Sequence, residues 1–199
     1  MKKEYYTSED SKMDVKNIIE KISQAAVDGK NIDCNDISTE LQEMINYENL
    51  LPKETPVALL KYKKMTSSTN KSTILENANT EINNSGLVLP TELLLFHGGS
   101  LWNDSTNSII TERPLSTTLD LNIAYYFMNR NKAKSRKNMF ILTVKDYGVN
   151  YFVFNNKTSH SDEKEILLQA GIELILMNER HIKTDYNDFY IVEADIRMP

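Results

Sequence analysis

Through the first 85 positions apolar residues recur at three- and four-residue spacing, and from Leu87 onward they gather into short dense runs. The first pattern is that of amphipathic helices. Val15, Ile18, Ile19, Ile22 and Ala26 predict a helix that stops near Gly29. Ser38 before Glu40-Leu41 signals the start of a second, with Leu41, Met44 and Ile45 as its buried stripe. Pro52 and Pro56 interrupt it, a third helix is expected from Val57 to Met65, residues 66–73 read as a polar loop, and Ile74, Leu75, Ala78 and Ile82 mark a fourth helix ended by Asn83 to Gly86. Amphipathic stripes of this kind are core-facing, so the helical front, residues 13–85, is read as structural support.

The second half, residues 87–197, reads as strands. Leu87 to Phe96 suits a buried strand closing on His97-Gly98-Gly99; Ile109-Ile110 and Leu115 to Leu119 are further short strands. Residues 120–129 read as one short helix with Ile123, Ala124 and Phe127 on a shared face. Met139 to Val144, Tyr151 to Phe154, the run GIELILM and the final YIVEADI are strands, the last two joined by a polar connection around Asn178 to Asn187. Helices first and strands later predict an α+β fold in a single domain, with N-terminal helices packed on a mostly antiparallel β core.

Composition narrows the partners. The 199 residues are 40% hydrophobic and 26% charged, enough for a real core, and the formal net charge of −5 argues against a whole-domain nucleic-acid binder. The single cysteine, Cys34, has no disulfide partner or ligand pattern, which argues against metal and redox chemistry and fits a cytoplasmic setting. Neither a secretory signal nor a run of the ~18 apolar residues that span a bilayer is visible.

Candidate chemistry centres on Glu163-Lys164-Glu165-Ile166-Leu167-Leu168. If the segment is extended, Glu163 and Glu165 share a face about 7 Å apart and two carboxylates enter one site. If it is a helix start, Ser161 or Asp162 caps an ordinary acidic first turn. Local pattern leaves both open.

Set in order with LLLFHGG and PLSTTLDLNIAYYF, the run DEKEILL resembles the third of three motifs of the ADP-ribosyltransferases of the bacterial-toxin type, including the C3-like and arginine-specific enzymes. The resemblance covers residues 87–197 in order and spacing, and it implies a two-sheet core behind a helical front. It also implies NAD as substrate, no metal, and transfer of ADP-ribose to a protein, at arginine where the third motif opens with Glu. Glu165 would hold the nicotinamide ribose, Glu163 would serve the acceptor, and Ser116 would fix the carboxylate rotamer. His97, Gly98, Thr117, Tyr125 and Tyr126 would line the cofactor site, with Arg130 or Arg136 from the basic loop on the phosphates. Lys132, Lys134 and Lys137 share that loop, whose alternative is a solvated charged segment.

One residue departs from the toxin pattern. His97 stands where toxin-type members carry Arg, as in the diphtheria-toxin and poly(ADP-ribose) polymerase branch, and a neutral histidine lacks the fixed charge and fork of arginine. The pyrophosphate contact must then come from elsewhere. NAD hydrolysis, transfer to a non-protein acceptor and an inactive binding relative are the other functions compatible with these motifs.

Overall fold

The structure, a computed structural model, describes residues 14–30, 32, 35–65, 71–101, 106–130, 136–154 and 164–199. Helix α1 (Val15–Asp28) begins at Asp14, whose side chain accepts from the Lys16 N–H, and ends at Gly29, whose φ of 65° supplies the left-handed cap. Its buried residues, Ile18, Ile19, Ile22 and Ala26, are the predicted stripe. Helix α2 (Asn35–Ile45) starts three residues before Ser38, so Ser38 is a buried interior residue instead of a cap. The buried face of α2 is Ile37, Ser38, Leu41 and Ile45, whereas Met44 is exposed. A short α3 (Tyr47–Leu50), unforeseen in the sequence, follows; then α4 (Val57–Lys63) and α5 (Lys71–Asn84) form a pair. Among the described residues no helix is long and apolar enough to cross a membrane.

Among the described residues eight strands follow, with one helix between them: β1 (Leu94–Gly99), β2 (Ser108–Ile110), β3 (Leu115–Thr118), α6 (Leu121–Arg130), β4 (Asn138–Val144), β5 (Tyr151–Val153), β6 (Glu165–Leu168), β7 (Glu173–Lys183) and β8 (Asp188–Arg197). The strand predicted from Leu87 starts only at Leu94, because Glu92 turns at φ 65°. The segment around Asn178, expected as a polar connection, is strand: β7 runs to Lys183 and pairs with β8 down to Asp188, with a bulge between Leu176 and Asn178. Paired backbone sustains the ribbon there, so its side chains can remain polar.

The strands make one sheet in the order β2-β7-β8-β4-β1-β3-β6-β5, with β4 and β8 parallel and the other pairings antiparallel. This corrects the two-sheet expectation, and the reason lies at one seam. Strands β1 and β4 pair over six positions, but β1 and β3 meet only at Phe96 opposite Thr118. The ladder is continuous, yet β3-β6-β5 are joined to the remainder by a single pair.

Two apolar clusters hold the layers. The larger joins Ile18, Ile22, Ile37 and Leu41 of the front helices to sheet residues such as Phe96, Phe140 and Ile191. The smaller packs α4 and α5 on β5 and β6 through Leu59, Ala78, Ile82, Phe152, Phe154 and Leu167. Each fully buried aliphatic or aromatic side chain contributes about 1.5–3 kcal/mol.

Candidate active site

The seam between β1 and β3 carries the site. Past the single Phe96–Thr118 pair the strands part, and the His97 imidazole bridges the gap, with Nδ1 2.7 Å from the Ser116 carbonyl oxygen. A carbonyl only accepts, so Nδ1 carries a proton; in the neutral ring Nε2 is then an acceptor. Gly98 follows because helix α6 lies directly against it. A Cβ there would stand 1.8 Å from the Ala124 carbonyl oxygen and 2.6 Å from the Met128 nitrogen. Glycine is required for helix–strand contact before any cofactor is considered.

Alternation along β3 separates its hydroxyls. Ser116 is exposed and its Oγ donates to Glu165 Oε1 at 2.7 Å, whereas Thr117 is buried and its Oγ1 donates to the Ile166 carbonyl oxygen at 2.7 Å. The Thr117 hydroxyl is committed to the neighbouring strand, while the residue still lines the cavity beside Ser116. Thr118 accepts from the Asp120 N–H, and Asp120 in turn caps α6 by accepting from the Asn122 N–H, both at 3.0 Å. The motif thus fixes the strand and the start of the next helix together.

Glu165 opens β6 and is 8% exposed. Its Oε1 receives the Ser116 bond, and its Oε2 lies 2.8 Å from Nζ of Lys63 on α4. That ion pair is close but poorly aligned, so neither Nζ nor Oε2 makes a regular hydrogen bond. Two phenols stand nearby: Tyr47 is pushed up to about 12, chiefly by burial and then by the negative charges of Glu48 and Glu165. Tyr62 is raised by burial and Glu165, with Arg113 opposing. Lys164, at φ 45°, does not continue an extended strand backwards, so the alternation expected to align Glu163 with Glu165 is not carried through it. Glu163 itself lies outside the described residues, as do Cys34, Lys132, Lys134 and the polar loop 155–162.

A cavity of about 220 Å³ is lined by His97, Gly98, Ser116, Thr118, Phe127 and Glu165, among others. A second, of about 380 Å³, shares Gly98 and Phe127 with it and is lined by Gly99, Arg130, Arg136 and Lys137. The two adjoin at Gly98 and Phe127, the first with a carboxylate in its wall and the second with cations. Arg136 is engaged: it pairs with Glu179, donates from Nε to Asn138 Oδ1 at 2.9 Å and lies 4.0 Å over the Tyr190 ring. Lys137 donates to Asn129 Oδ1 at 3.1 Å. Arg130 is exposed and makes no ion pair or side-chain hydrogen bond among the described residues.

Neither expected tyrosine reaches the cleft. Tyr125 donates to Asn187 Oδ1 at 2.7 Å and sets its ring edge against Phe189, and Tyr126 is exposed. The aromatic that lines both cavities is Phe127. Its signal was in the sequence: Ile123, Ala124 and Phe127 share one helical face, and the tyrosines lie off it. Lys63 and Tyr47 had no such signal, because nothing local ties the front helices to a strand one hundred positions away.

The overall fold is that of the bacterial ADP-ribosyltransferase toxins. Solved structures of that class superpose on the chain. Vis, an ADP-ribosyltransferase from Vibrio splendidus, matches with a TM-score of 0.54 at 10% identity over 86% of this chain and 89% of its own, in complex with the M6 inhibitor. Vis in complex with agmatine matches at 0.52 and 9% identity. The ADP-ribosylating toxin BECa of C. perfringens, with NADH, matches at 0.52 and 14% identity over 82% of this chain and 48% of that one. The C2-I component of the Clostridium botulinum C2-toxin matches at 0.51 and 15% identity, over 80% and 46%. This chain therefore spans most of Vis and less than half of the other two. No protein-family model and no curated protein matches the sequence.

Proposed function

We propose that this protein is an NAD-dependent mono-ADP-ribosyltransferase in which Glu165 is the catalytic carboxylate. The observation that carries the reading is the 2.7 Å contact from Ser116 Oγ to Glu165 Oε1 on the wall of a cleft whose far end is basic. The bond from the ribose C1′ to the nicotinamide nitrogen breaks, its electron pair neutralises the pyridinium, and positive charge builds on the ribose. A buried carboxylate stabilises that charge, its Oε2 set against Lys63. Ser116 holds the other oxygen in place.

Across the rest of the cleft, His97 offers an imidazole to a ribose hydroxyl, Phe127 a ring face to nicotinamide, and Gly98 a backbone that admits close approach. The pyrophosphate falls to Arg130, the exposed cation of the basic cavity. Arg136 serves that cavity through the ribbon it braces, because Glu179 already holds its guanidinium. With this division the absence of an arginine at position 97 is made good from α6.

Arginine on a protein is the acceptor this reading favours, in a toxin-like effector that works in the cytoplasm of a target cell. Glu163 would take a proton from the guanidinium as its nitrogen bonds to C1′. Agmatine, bound in the Vis complex, is itself a guanidinium compound. Labelled NAD, agmatine and cell lysate, each with the natural protein and with Glu165→Gln, test the proposal. Label on agmatine or protein that vanishes in the variant supports it. Free ADP-ribose alone makes the protein an NAD glycohydrolase, and no NAD cleavage or binding refutes the catalytic reading.

A further inference from the structure

One buried charge has no part in the chemistry above. Lys63 closes α4, its side chain is 14% exposed, and its Nζ sits between Glu165 Oε2 at 2.8 Å and the Phe154 ring centroid at 3.9 Å. A buried ammonium is costly unless it is paired. The helix does not need it for anchorage: Leu59 is fully buried in the smaller core, and the Tyr62 hydroxyl donates to the Pro114 carbonyl oxygen at 3.0 Å, just ahead of β3. An apolar side chain at position 63 would pack on Phe154 without the cost of burying a charge.

The other groups around Glu165 do not supply a cation. Tyr47 and Tyr62 are phenols kept neutral by burial, Ser116 is a neutral donor, and His97 is bound to the Ser116 carbonyl oxygen. Lys164, next in the chain, directs its Nζ to Ser38 Oγ at 3.1 Å and towards Asp120 at 3.7 Å. Arg113 acts on Tyr62. Among the described residues, Lys63 is the cation in ion-pair contact with this carboxylate.

We infer that Lys63 is a positioning residue for the reaction: from the helical front half it sets an opposite charge against the Glu165 carboxylate in a nearly closed site and fixes it from the side opposite Ser116. The pair is not aligned as a hydrogen bond and both atoms are shielded from solvent, so the ammonium acts on Oε2 as a charge. The inference rests on the proposed activity only for its kinetic part.

The test compares the natural protein with Lys63→Met and Lys63→Arg, by the pH–rate profile of NAD cleavage and by titrating the ¹³C-labelled Glu165 carboxyl without NAD. In Lys63→Met the acid limb of the profile and the carboxyl titration are expected to move to higher pH, because the neighbouring cation is gone. At pH values within the displaced limb, kcat falls roughly tenfold per unit while KM for NAD changes little. Lys63→Arg restores both. If Lys63→Met does not fold at the assay temperature, Lys63→Gln, which retains a polar end without the charge, is read in the same way. Unmoved titration and acid limb overturn the inference, and so does a rise in kcat, which would make Lys63 a plug. If the natural protein cleaves no NAD while the carboxyl titration still moves, the proposed activity fails and the placement of Lys63 stands.

Discussion

At the carboxylate end of the cleft Glu165 is 8% exposed, with Ser116 on one oxygen and Lys63 at the other. At the basic end Arg130 is exposed and free of ion pairs among the described residues. One end has its charged group held by side-chain partners, and the other presents a cation with none among the described residues. The difference matches the demands made on each end: stabilising a developing charge requires donors and carboxylates already in place, whereas holding a phosphate tolerates a side chain that settles afterwards. Arg136 and Lys137, braced by Glu179 and Asn129, lie between these extremes.

The largest effect is expected at the carboxylate end. Glu165→Gln should lower NAD turnover by roughly 100-fold or more while leaving the circular dichroism spectrum intact; an active variant would remove the proposed chemistry from this residue. Gly98→Ala probes the wall the two ends share. Its methyl would meet the α6 backbone, so a loss of about 3 kcal/mol is expected, seen as a melting temperature lowered by roughly 6 to 12 °C. Ser116→Ala, which frees one carboxylate oxygen, should reduce kcat by about tenfold with little change in KM for NAD.

At the basic end Arg130→Ala should raise KM for NAD by several-fold, with kcat largely kept, and the penalty should shrink at high ionic strength. Equal effects on kcat in the Arg130 and Glu165 variants would abolish the distinction between the ends. The smallest effect concerns Tyr47, whose ionisation burial opposes up to about pH 12. Its folded value is raised, so its contribution is complete below the unfolded value near 10 and is lost as pH rises towards 12. Tyr47→Phe should leave neutral-pH stability nearly unchanged and flatten the alkaline unfolding curve, read by denaturant titration at pH 7 and pH 11.

Legibility in the sequence followed the range of the interactions. The stripe of α1, its glycine stop and the strand over Met139 to Val144 are local patterns, and the structure has them where the pattern indicates. The second helix was misplaced by three residues at Ser38 because a serine is as acceptable inside a small, tight contact as at a cap. Its Oγ accepts from Lys164, 126 positions away. Polarity concealed the outer half of β7, where pairing with β8 and not burial makes the strand. Of the candidate site, Ser116, His97 and Glu165 were legible as a constellation through the motif order, and the structure brings them to one cavity. Phe127 was legible only as one of three residues on a shared helical face, while the tyrosines beside it were expected at the cofactor. Lys63 was illegible, since its partner is decided by how α4 docks on β5 and β6.

The lone Phe96–Thr118 pair at the seam also has a mechanical meaning. Six paired positions lock β1 to β4, so a fluctuation that parts the sheet should begin beside β3 and widen the cleft like a zipper released at its last tooth. Amide hydrogen exchange will read this as faster exchange at the Phe96–Thr118 contact than among Phe140 to Leu142. The wall of the site is thus held least tightly beside its own carboxylate.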